Sequence, residues 1–68
     1  MKKEILDELN WLKGEDDPLH VVGNYVYLVD KCYQTGEKVP EEAKDLFREA
    51  INRLGKAWNL VKAIKNLP

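Results

Sequence analysis

The sequence predicts an all-α fold: a small three-helix bundle running up, down and up, with a long C-terminal helix. Apolar residues recur every three to four positions in three segments, as one face of a helix requires. Between those segments lie short stretches of glycine, proline and acids that carry helix stop and start signals. The third segment is about twice as long as the first. A chain of 68 residues makes one domain, spanning 1–68.

Residues 2–13 form the first element. Ile5, Leu9 and Leu12 share a face, with Leu6 at its edge. Glu4, Asp7 and Glu8 sit early and Lys13 late, each complementing the nearer end of the helix dipole. Gly14 is the expected stop, in the left-handed conformation that ends many helices.

The pair Asp17-Pro18 starts the second element, because the carboxylate caps free amides and proline at the first position forfeits no helical hydrogen bond. Its apolar face is expected to carry Leu19, Val22, Tyr25, Val26, Val29, Cys32 and Tyr33. His20, Asn24, Tyr27 and Lys31 fall opposite, and Gly36 closes the helix after Thr35. Residues 21–29 also read as two short strands around Gly23-Asn24. Two such strands alone are marginal, and the caps with the helical stripe favour helix.

Pro40-Glu41-Glu42 opens the third element. Ala43, Leu46, Phe47, Ala50, Leu54, Ala57, Val61 and Ile64 then follow one face, flanked by Ile51 and Trp58 on one side and Leu60 and Leu67 on the other. Unbroken from Pro40 to Asn66, this helix spans about 40 Å, against about 18 Å for the first. Either Gly55 kinks it so that its end folds back, or a second chain completes the bundle.

Composition narrows the function. The apolar fraction of 44% is that of a folded chain, and a formal net charge of −1 gives no bulk attraction to nucleic acid. No run approaches the roughly 20 apolar residues of a membrane span, and early acids break any signal-peptide core. The single Cys32 excludes an internal disulfide and suits a reducing, cytoplasmic location. Small domains without disulfide or metal rely on tight helix packing or self-association.

Catalytic chemistry finds no foothold. Cys32 and His20 fall about 18 Å apart along one helix, far beyond a nucleophile–base contact. Glu15, Asp16, Asp17 and His20 lack the alternating ligands of a calcium loop, so a capped turn accounts for them. Asp30 is expected at the edge of helix 2, paired with a lysine. No phosphate loop or dinucleotide fingerprint occurs, and no enzyme activity, metal or cofactor is expected. Tyr33-Gln34-Thr35-Gly36 with Ala43, Phe47 and Ala50 loosely resembles the turn and second helix of a tetratricopeptide repeat. The first-helix Leu-Gly pair is missing and no second copy follows, so the chain is not assigned to that family.

The sequence therefore points to a non-enzymatic helical association module, binding itself or a partner helix through Leu60, Val61, Ile64 and Leu67. The alternative is a nucleic-acid-binding accessory domain. After Ile51 there is no acid, while Arg53, Lys56, Lys62 and Lys65 accompany Trp58, the mixture used for phosphate contact and base stacking.

Overall fold

A computed structural model describes residues 2–65. Three helices occur in order, α1 (Lys3–Gly14), α2 (Pro18–Thr35) and α3 (Glu41–Lys65), with no strand among the described residues. The stretch 21–29 is helical throughout, so the hairpin alternative does not occur. Short connections make neighbouring helices antiparallel. The largest contact joins α2 to α3, and α1 rests on both.

The ends follow local chemistry. Asp17 Oδ1 accepts from the Leu19 amide at 2.9 Å, with Pro18 in the first turn. The Pro40 carbonyl accepts from the Ala43 and Lys44 amides and opens α3. Gly36 closes α2 at φ 73°, its N–H donating to the Cys32 carbonyl. Gly14 departs from expectation: it is the last residue of α1, and Glu15 caps the helix from an extended conformation, its N–H donating to Leu12. These two glycines should respond differently to alanine. Gly36→Ala places a Cβ in a left-handed backbone and is expected to cost about 1–2 kcal/mol. Gly14→Ala, in helical backbone with open space around it, is expected to be neutral or stabilising by up to about 1 kcal/mol. Urea midpoints of both variants check this; equal losses would show that the left-handed turn is not what Gly36 provides.

Ile5, Leu9, Leu12, Val21, Leu28, Cys32, Ala43 and Ala50 form the core, with Val22, Tyr25, Val39 and Leu46 against it. Tyr25 and Phe47 stack at 4.3 Å between α2 and α3. The face of α2 differs from expectation. The stripe Val21, Tyr25, Leu28 and Cys32 turns inward, while Leu19, Val26 and Tyr33 turn to solvent. Two apolar stripes compete on this helix. The outer one includes Gly23 and Asp30, which fill or tolerate a core less well than the uncharged inner set.

Helix α3 runs through Gly55 without interruption. The core ends at Ala50, Leu54 is half-buried, and every position from Gly55 to Lys65 is exposed. The radius of gyration is 14.8 Å, against about 11 Å for a compact chain of this length. The extra length of α3 is thus an arm projecting past the bundle, not a folded-back end.

Candidate functional site

The arm follows from a mismatch of lengths. At 1.5 Å per residue, α2 extends about 27 Å and α3 about 37 Å. Phe47 stacks on Tyr25, so α3 starts about a turn inside the end of α2, runs back along it and exhausts its partner at about Leu54. The apolar stripe nonetheless continues beyond that point. Ala43 and Ala50 are buried against the other helices, and Ala57, next in the seven-residue series, is exposed.

Leu60, Val61 and Ile64 lie together on the arm within an arc of about 100°. Leu60 and Ile64 are each 67% exposed and Trp58 is 56% exposed. Leu67, expected to extend the patch, lies outside the described residues. By helical position, Lys56 borders this patch on one side and Lys65, Trp58 and Lys62 on the other. The Lys62 ammonium sits 5.7 Å from the Trp58 ring centroid. Among the described residues no carboxylate pairs with Lys56, Lys62 or Lys65. Apolar side chains fenced by cations are thus presented on an exposed helix.

Arg53 is separate. Its Nη1 donates to the Asp16 carbonyl at 2.9 Å, tying the α1–α2 turn to the base of the arm. The five residues considered for nucleic acid therefore do not form one stripe. Trp58, Lys62 and Lys65 gather on one edge, Lys56 faces the other, and Arg53 is engaged within the fold. No family model, no curated protein and no solved structure matches the chain.

The reactive side chains stay apart. Cys32 is buried in the core while His20 is exposed, and burial, followed by the nearby Glu37 carboxylate, pushes the thiol upward and away from thiolate. His20 Nδ1 lies 3.7 Å from Glu15 and 3.8 Å from Asp17, but Asp17 caps α2 and Glu15 accepts from the Asp17 amide. No group of three ligating side chains gathers among the described residues. Asp30 accepts from Gln34 at 3.0 Å, not from the lysine expected. Lys31 instead reaches Glu8 at 3.7 Å and lies over the Tyr27 ring. A cleft of about 250 Å³ between the α1–α2 turn and α3 is lined by Lys13, Glu15, Asp16, Glu49 and Arg53 with a few apolar residues. Its charged side chains carry both signs.

No helix of the described chain is long and apolar enough to cross a membrane. Sequence reasoning missed the outer face of α2, where Leu19, Val26 and Tyr33 form a second apolar surface. The signal was present in Gly23 and Asp30, which lie within that stripe and outside the inner one.

Proposed function

We infer that this chain is a non-enzymatic helix-docking module whose working surface is the arm. The observation that carries this reading is the unbroken amphipathic helix beyond Leu54, with Leu60, Val61 and Ile64 exposed together. Apolar side chains at helical spacing on a rigid element suit the groove or face of another helix, and burying them drives association. Leu67 belongs to the same series. A reducing, cytoplasmic setting suits the single thiol.

The double variant Val61→Asp/Ile64→Asp tests this. At high dilution its thermal midpoint should equal that of the native chain, because the arm adds nothing to the monomer core. Docking should be lost. A midpoint several degrees lower at dilution would mean that these residues support the monomer and are not free to dock.

A nucleic-acid reading is favoured by one observation, the Trp58–Lys62 pair with Lys65 beside it. Quenching of tryptophan fluorescence by single-stranded oligonucleotide, lost steeply as salt rises, would support it. Apolar helix docking changes far less with salt.

A further inference from the structure

We propose that the arm docks on the outer face of α2 in a second copy of this chain, reciprocally, so that two copies exchange arms about a two-fold axis. The proposal rests on the docking reading above and names its partner.

The receiving surface is as fully formed as the arm. Leu19, Val26 and Tyr33 lie at seven-residue intervals along α2 and are 66%, 61% and 87% exposed. Val22 and Val29 are half-buried beside them. This stripe runs about 21 Å; the exposed arm, Gly55–Lys65, runs about 16 Å. Gly23 sits between Leu19 and Val26, and a Cβ there would meet nothing within 4 Å. A helical glycine with open space above it lets a large side chain or another helix approach the backbone closely.

Charge selects the same pairing. Cations border the arm's apolar patch, and α3 has no acid beyond Glu49. The outer face of α2 carries one acid, Asp30, on the same side as Leu19, Val26 and Tyr33. Lys31, the one lysine of α2, faces Glu8 and Tyr27 instead. A basic apolar helix and an apolar face whose charge is Asp30 therefore occur on one chain, and the pairing sets Lys65 against that carboxylate.

Topology closes the pair. The arm leaves the bundle at the start of α2 and points away from it. A two-fold axis across that end reverses the second arm, which then runs alongside α2 of the first copy in the direction of α2. Gly55 comes near the start of the stripe, Trp58 near Gly23, Val61 near Val26, and Lys65 near Asp30. Each copy gives one arm and receives one, so contact is doubled and the assembly closes at two.

Bridging by a short bismaleimide tests the geometry, with Cys32 buried and left in place. Val26→Cys and Val61→Cys are each exposed substitutions. A mixture of the two should cross-link to a dimer, while each alone should not. Cross-linking of Val61→Cys alone would place arm against arm and overturn the proposal. No cross-link in any sample, with a solution mass of one chain throughout, would also overturn it. The docking reading would then still be decided by the dilute thermal comparison of Val61→Asp/Ile64→Asp. Gly23→Leu supplies an independent measurement. It should strengthen α2 in the monomer yet weaken the dimer about tenfold or more, by filling the space for Trp58. An unchanged dimer would overturn the proposal, and a membrane or nucleic-acid partner for the arm would be indifferent to Gly23.

Discussion

Leu28→Ala is expected to destabilise the fold by about 2–5 kcal/mol. Leu28 is fully buried at 0% exposure in the central helix, among the largest side chains of the core. Its loss removes the transfer energy of several methyl and methylene groups and leaves a cavity that packed neighbours fill only in part. Alanine's better helix propensity returns a few tenths of a kcal/mol at most. A domain of this size has a total stability of about 3–10 kcal/mol by the usual scaling per residue. The substitution therefore removes a large share of it, and much of the population should be unfolded well below the native midpoint. Val26→Ala, one face away on the same helix and exposed, should change monomer stability by about 0.5 kcal/mol or less. Urea denaturation followed by helical circular dichroism measures both. Equal effects would mean that α2 is rotated from the orientation described, with Leu19, Val26 and Tyr33 inward.

That rotation marks what the sequence left open. Local signals located all three helices, because Asp17-Pro18, Gly36 and Pro40 act through their own backbone chemistry. The mismatch of lengths was equally visible, because it depends only on rise per residue. Two things were not legible. The first was which stripe of α2 faces inward: with valines at 21, 22, 26 and 29, apolar periodicity alone fits two faces. The choice depends on how α1 and α3 meet the helix, where a fully buried Leu28 and Cys32 fill space that Gly23 and Asp30 would leave empty or charged. The second was the fate of Gly55, since a glycine permits a kink but does not require one. With an apolar stripe continuing past it and nothing nearby to bend toward, α3 stays helical. The length mismatch and the continuing stripe single out Leu60, Val61 and Ile64 whichever way Gly55 behaves, whereas apolar periodicity places Leu19, Val26 and Tyr33 on the core side, where the structure does not.

The alanines spaced by seven along α3 give the sharpest internal contrast between bundle and arm. Ala43 is fully buried, Ala50 nearly so, and Ala57 exposed. Ala43→Leu must fit three more carbons where α3 approaches its neighbours closely, at a cost of about 1–3 kcal/mol from displaced side chains and backbone. Ala57→Leu places the same side chain on the same stripe two heptads on, where the bundle has ended. In the monomer it should change stability by less than about 0.5 kcal/mol. Denaturation at high dilution reads these monomer effects directly, and the difference between the variants isolates packing from helix propensity, which is the same at both sites. If Ala57→Leu proved as costly as Ala43→Leu in the dilute chain, the arm would have to be covered by its own bundle. A neutral Ala57→Leu at dilution, with an altered association at high concentration, is the pattern of a helix whose second half is built to be covered by something other than its own chain.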